Sequence, residues 1–158
     1  MASSIGKTVR GSIFGESHGE AIGCVLEGLP AGEALDMEAI LIQMARRAPG
    51  RDKTATARRE SDTPRILSGL LEGKTTGAPL AMVIENTNQR SGDYGNVRLC
   101  PRPGHADYTG HVRYRGHNDV RGGGHFSGRL TAPLVFAGAV CRQILRRRGV
   151  TVGGHILS

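Results

Sequence analysis

Residues 20–47 read EAIGCVLEGLPAGEALDMEAILIQMARR, and the hydrophobic period changes in the middle of this stretch. In its first part Ile22, Cys24 and Leu26 alternate with Gly23, Val25 and Glu27. A period of two predicts a strand over Glu20 to Leu29 with one buried face. Pro30 and Gly32 then predict a turn. In the second part Met37, Ile40, Leu41 and Met44 recur at i, i+3, i+4 and i+7, the stripe of an amphipathic helix over Asp36 to Arg47. Asp36 is placed to cap its first turn, and Pro49-Gly50 to end it.

Outward from this stretch the pattern stays mixed. Ile5 to Phe14 is short and β-like, interrupted by glycine. Arg51 to Pro64 is polar and basic and reads as a loop. Arg65 to Glu72 and Pro79 to Asn86 are strand candidates. Asn88 to Gly128 has weak periodicity and many Gly, Arg and His residues; in a compact domain such a stretch is usually functional or disordered. Arg129 to Arg148 reads as a second helix, with Pro133 in its first turn and Gly149 after its basic end. Thr151 to Ser158 reads as the start of another β-like piece, so a partner region beyond it is expected. There is no internal repeat.

The 158 residues suffice for one domain with its own core. The 24 glycines exclude a plain helix bundle and point to turns and to backbone that approaches a ligand closely. The net charge of +7 favours an anionic partner: nucleic acid, an acidic membrane or a phosphorylated small molecule. Cys24, Cys100 and Cys141 form no C-x-x-C pair, which argues against a zinc ribbon or redox motif. An odd cysteine count without a leader predicts reduced thiols and a cytoplasmic setting. The first residues hold no apolar leader, and the apolar run Thr131 to Cys141 is too short to span a bilayer.

Four groups of residues could carry chemistry. Arg46, Arg47, Arg51, Lys53, Arg58, Arg59 and Arg65 face only three acids in the same stretch. They form either an anion site or a solvated loop, since Arg grips phosphate and carboxylate bidentately. Gly15-Glu16-Ser17-His18-Gly19 sets a histidine among small residues, suited to proton transfer or simply to a turn. In Arg102-Pro103-Gly104-His105-Ala106-Asp107-Tyr108, Arg102 can hold an anion, His105 can be an acid and Asp107 can orient the ring; the alternative is an Asx-type turn with a surface histidine. Arg121-Gly122-Gly123-Gly124-His125-Phe126-Ser127-Gly128-Arg129 precedes a helix, and is either an anion cradle or a flexible turn. It matches neither the P-loop nor the dinucleotide fingerprint. His105, His111 and His117 stand six apart without the i, i+4 pairing or cysteine partner of a zinc site, so no metal is expected.

Taken in order, these motifs are specific. Phe14-Gly15-Glu16-Ser17-His18-Gly19, Arg46-Arg47-Ala48-Pro49-Gly50, Arg58-Arg59-Glu60-Ser61-Asp62, Ile66-Leu67-Ser68-Gly69, Thr75-Thr76-Gly77, Ile84-Glu85-Asn86-Thr87, Arg102-Pro103-Gly104-His105-Ala106-Asp107 and Arg121-Gly122-Gly123-Gly124 follow one another as they do in chorismate synthase. The chain resembles that family from about Ile5 to its end.

The resemblance implies an α+β fold with helices sandwiched between antiparallel sheets, and a homotetramer when full length. Residues 1–158 would be the amino-terminal part of a single domain, with the carboxy-terminal part absent. It also implies a reaction: elimination of phosphate from 5-enolpyruvylshikimate 3-phosphate to give chorismate, with reduced FMN required and no net redox change. The partner would be this phosphorylated small molecule, not nucleic acid or membrane. By motif, His18 resembles the histidine that protonates the leaving phosphate and His105 the one that acts on the flavin. Ser17, Arg47, Arg102 and Arg129 fall at substrate contacts, and His125, Phe126 and Ser127 at FMN. Arg47 and Lys53 fall where NADPH would bind in members that reduce their own flavin. Two departures stand out: Lys53 replaces a common Arg, and His125-Phe126-Ser127-Gly128-Arg129-Leu130 replaces the commoner Arg-Ser-Ser-Ala-Arg-Glu. The family's chains are also much longer. A rival reading is a basic RNA-binding module, resting on the net charge, the Arg46 to Arg65 cluster and the Arg146-Arg147-Arg148 tail; against it, aromatic stacking platforms make up only 4% of the chain. A third is a folded but inert half-domain.

Overall fold

A computed structural model describes residues 3–48, 62–87, 96–97 and 99–155. Its strands are β1 (Ser4–Gly6), β2 (Arg10–Gly15), β3 (Ala21–Glu27), β4 (Arg65–Ser68), β5 (Leu70–Leu71), β6 (Lys74–Thr75) and β7 (Leu80–Glu85). Five of them make one sheet in the order β1-β2-β3-β7-β4, and β5 and β6 pair as a small ribbon. Every pairing is antiparallel. The helices are α1 (Met37–Arg47), α2 (Asp107–Arg113) and α3 (Thr131–Arg147).

The period-two pattern of residues 22–26 fixes which face of the sheet is covered. Ile22, Cys24 and Leu26 lie opposite Ile84, Met82 and Leu80, and all six are buried. Onto this face pack Ile40 and Met44 from α1 and Phe136, Val140 and Ile144 from α3, forming one core. Full burial of one such side chain stabilises by about 1.5–3 kcal/mol. Asp36 caps α1 by accepting from the Ala39 N–H at 3.0 Å. Gln143 of α3 clamps the same end, accepting from the Asp36 N–H at 2.9 Å and donating to the Asp36 carbonyl at 2.8 Å.

The α+β class is as expected, and the helices cover one face of the sheet. A second sheet on their far side is not among the described residues. Leu41, at the margin of the α1 stripe, is 44% exposed, so the buried stripe of α1 is narrower than its sequence pattern. The strand read over Arg65 to Glu72 is split at Gly69. That residue has φ +79°, and a Cβ there would lie 2.5 Å from Leu80 Cα. The stretch read as irregular contains α2 and a kinked segment over Arg121–Phe126 whose three glycines all have positive φ. Residues 151–155 form no strand, and the rest of the β-like reading, to Ser158, lies outside the described residues. Pro49-Gly50, Lys53 and the loop from Arg51 to Ser61 lie outside the described residues. Among those described, no helix is long and apolar enough to cross a membrane.

Candidate active site

Between β2 and β3 the chain turns through residues 16–20 and carries Ser17 and His18 into the protein, where both are buried. The turn is held from two sides. The Ser17 N–H donates to the Gly124 carbonyl at 3.1 Å. Asn86, just beyond β7, donates its side-chain amide to the carbonyls of Glu16 (3.0 Å) and Gly19 (2.8 Å). Its Oδ1 accepts from Arg129 Nε at 3.1 Å. Arg129 also binds Asp62 Oδ1 through Nη1, and Arg47 Nη1 donates to Asp62 Oδ2 at 3.1 Å. Two of the expected anion-binding arginines therefore share one buried carboxylate.

The second histidine rests on a carboxylate of its own. Arg102 grips Asp107 bidentately, Nε to Oδ2 at 2.8 Å and Nη2 to Oδ1 at 2.9 Å, and its own N–H donates to Oδ2 at 2.9 Å. His105 Nδ1 lies 2.7 Å from Asp107 Oδ1. The Arg102 guanidinium holds the Asp107 carboxyl well below the usual carboxylate range. An ionised Asp107 accepts a hydrogen bond from Nδ1–H, which assigns the tautomer and leaves Nε2, 3.4 Å from Arg102 Nη2, as the ring's acceptor atom. The ring-orienting reading of Asp107 thus has its geometry, on a buried carboxylate beside a half-buried His105.

The triple glycine joins these two clusters. Gly122 lies beside Ser17 and His18, and Gly123 beside His105 and Arg102. The segment is packed against both rings. The structure thus brings together Ser17, His18, Arg102 and His105, and links Arg47 and Arg129 to them through Asp62 and Asn86.

His125, Phe126 and Ser127 face elsewhere. His125 Nδ1 donates to the Gly15 carbonyl at 2.8 Å, and Ser3 Oγ donates to Nε2 at 2.6 Å, so the ring ties the edge of the sheet to the glycine segment. Phe126 packs against Tyr114 with ring centroids 6.0 Å apart. It stands in the wall between two cavities of about 830 and 700 Å³. Ser127 Oγ accepts from the Arg129 N–H at 3.3 Å, capping the turn that leads into α3. Lys53 is outside the described residues; among the described residues no group of three metal-ligating side chains occurs.

Sequence reasoning gave no role to Asp62, Asn86, Glu16 or Asp119. The first three stand inside the quoted motifs, which was the available signal. Asp119 binds Arg121 (Nη2 to Oδ2, 2.7 Å), and the Arg121 side chain holds its carboxyl low. Glu16, in the wall of the larger cavity, has its carboxyl pushed up by burial and then by Asp119 beside it. In the basic tail, Arg147 and Arg148 each donate to Glu33 at 2.6 Å. That single carboxylate offsets one of the three tail charges on which the RNA-binding reading drew.

A family model described as chorismate synthase matches residues 9–158. The chorismate synthase of Thiobacillus denitrificans is 50% identical over 155 residues, which is 98% of this chain and 42% of that protein. That of Burkholderia mallei is 53% identical over 144 residues, 90% of this chain and 39% of that protein. A solved structure described as "Crystal Structure of Chorismate Synthase" superposes with a TM-score of 0.62 at 30% identity, covering 92% of this chain and 36% of the other. The chain spans about two fifths of the length of the curated relatives it matches.

Proposed function

Because this chain belongs to the chorismate synthase family, we propose that it carries the proton-handling part of a site for eliminating phosphate from 5-enolpyruvylshikimate 3-phosphate to give chorismate. The observation that carries this reading is the meeting of His18 and His105 on one glycine segment, with Arg102 beside His105 and Arg129 tied to the His18 turn through Asn86. The substrate bears a phosphate and two carboxylates. Arg102 and the Arg47–Asp62–Arg129 triad supply cations held in place before it arrives, so little ordering remains to be done on binding. His18 is the general acid for the departing phosphate, and Ser17 is a hydrogen-bond donor beside it. His105 exchanges a proton at Nε2, with Asp107 keeping the ring in that tautomer.

Reduced FMN, when bound, supplies the electron-rich ring system that the elimination needs without net redox change. The residues present suit that ring system. A cavity of about 830 Å³ has room for a flavin, and Phe14, Tyr114 and Phe126 give it aromatic walls, although neither His18 nor His105 is among its lining residues. For the FMN phosphate the neighbouring cavity offers Arg113, whereas the larger one has no Lys or Arg among its described lining residues. His125, Phe126 and Ser127 then act mainly as the wall and its supports. Arg47 and Lys53 remain the candidates for NADPH, and a cytoplasmic homotetramer remains the expected setting of the whole protein.

The test is anaerobic chorismate formation from this substrate and reduced FMN, by the 158-residue chain alone and by the chain fused to the carboxy-terminal region of the Thiobacillus denitrificans relative. Turnover is expected in the fusion, falling by about 10²–10⁴-fold on His18→Ala, the range of general acid catalysis. A folded fusion that makes no chorismate, or one indifferent to His18→Ala, would overturn the reading.

A further inference from the structure

His18 and His105 come from distant parts of the chain: one from the β2–β3 turn, the other from the approach to α2. What they share is Gly122-Gly123. Gly122 has φ +59°, and a Cβ built on it would overlap Cε1 and Nδ1 of His18 and sit 2.9 Å from Ser17 Oγ. Gly123 has φ +83°, and its Cβ would sit 3.0 Å from Cε1 and Nε2 of His105 and 3.6 Å from Arg102 Nη2. In both cases the nearest atoms belong to the site's own side chains. The next glycine behaves differently. A Cβ on Gly124 would overlap the backbone carbonyl of Asp119, so that position serves the path of the chain.

We propose that Gly122 and Gly123 are positioning residues, a two-residue seat on which the two imidazoles rest, so that one dipeptide sets both ring orientations and the span between them. Successive Cα atoms are ~3.8 Å apart, so the facing ring atoms lie within about 12 Å of each other. The seat is held firm. The Gly123 N–H donates to the Val120 carbonyl at 3.1 Å, the Gly124 carbonyl accepts from Ser17 N–H at 3.1 Å, and Arg121 N–H donates to Asp119 at 3.0 Å. Either backbone shifting would carry both rings with it. The geometry predicts an asymmetry: a methyl at Gly122 must displace His18, whereas one at Gly123 asks the His105 ring to yield by only a few tenths of an ångström. The catalytic meaning of the span rests on the function proposed above; the seating of the rings does not.

The experiment is a pH titration of the 158-residue chain by ¹H–¹³C NMR with ¹³C at histidine Cε1, His18 and His105 being assigned by their loss in His→Gln variants. In Gly122→Ala the His18 resonance should move and its midpoint should shift by about one pH unit, the usual spread of histidine values between protein environments. His105 should follow in the same variant by a smaller amount. In Gly123→Ala the order reverses and both changes are smaller. Gly138→Ala, where nothing lies within 4 Å of the new Cβ, should move neither. Unchanged His18 titration in a folded Gly122→Ala chain would overturn the proposal. A second measurement decides the case in which Gly122→Ala is too unstable to titrate: the fall in urea midpoint it causes, compared in the wild-type and His18→Gly backgrounds. A smaller fall when the ring is gone supports the seat; an equal fall, or a chain unfolded in both backgrounds, overturns it. None of these readouts needs turnover, so a chain that forms no chorismate still decides the inference, and a failed seat leaves the proposed reaction standing.

Discussion

α3 and α2 lie in the same chain and are held by different forces. α3 buries Ala132, Pro133, Phe136, Ala139, Val140 and Ile144. α2 buries only Asp107 and Gly110, while Tyr108 and Val112 stay in solvent. The long helix is kept in place by apolar area removed from water, which is non-directional and tolerant of detail. The entry to the short one is shaped by a carboxylate that accepts from Arg102 three times and from His105 once, a directional set within residues 102–107, and its Gly110 lies against the Phe126 ring. The difference separates a scaffold from a site. The sheet and α1–α3 layer tolerate approximate shapes, while the region around the two histidines depends on individual polar atoms and on absent side chains.

The largest effect should come from breaking the scaffold side. Phe136 is fully buried against β3 and β7, and Phe136→Ala should lower unfolding stability by about 3–5 kcal/mol, the range for deleting a buried aromatic. Thermal or urea unfolding would measure it. A loss near that of an exposed position would show that the α3 contact is not what holds the layer on the sheet.

The next effect is electrostatic and belongs to the site side. Asp107 has its folded pKa lowered, so its stabilising contribution is present above the unfolded carboxyl value of 3.8 and is lost as pH falls below it. Glu16 has the opposite sign. Its pKa is raised, so the folded state loses stability as pH climbs from 4.5 through the raised value. Unfolding midpoints followed from pH 2 to 7 should therefore show Asp107→Asn well below the wild type near neutrality and converging with it in acid, since protonation removes the same contribution. Glu16→Gln should flatten the decline on the other flank. A curve for Asp107→Asn that stays parallel to the wild type down to pH 2 would mean that the Arg102 pairing contributes nothing to folding.

The same contrast explains what could be read from sequence. The scaffold was legible because apolar burial repeats: two residues per period along β3, 3.6 along α1 and α3. Its errors were of width and continuity. Leu41 fits the stripe of α1 but lies at its margin, and Gly69 breaks a strand that the apolar pattern runs through. α2 was not legible, because a helix that buries an aspartate and a glycine has no apolar period to detect. His18 and His105 came from motif order, and Asp107 from its spacing to His105. Asp62 and Asn86 bridge parts of the chain that only tertiary structure brings together. The triple glycine was ambiguous for a related reason: a sequence shows that side chains are missing, and only the fold shows that imidazoles fill their place.

The smallest effect tests whether a glycine of the scaffold obeys the scaffold's rules. Gly138 sits in the middle of α3 on its exposed side, with no positive φ and nothing within 4 Å of a built Cβ. Neither space nor conformation requires glycine there. Gly138→Ala should therefore stabilise the chain by about 0.5–1 kcal/mol, by reducing the conformational freedom lost when the helix forms. Chemically the substitution is identical to Gly122→Ala, and the two should differ in sign. At Gly122 a positive φ and an occupied seat both oppose the methyl, while at Gly138 neither does. Urea midpoints of the two variants measured side by side would show it. If Gly138→Ala destabilised the chain as Gly122→Ala should, the far side of α3 would have to carry packing that its exposure does not reveal, and the division between a tolerant scaffold and an exacting site would not hold.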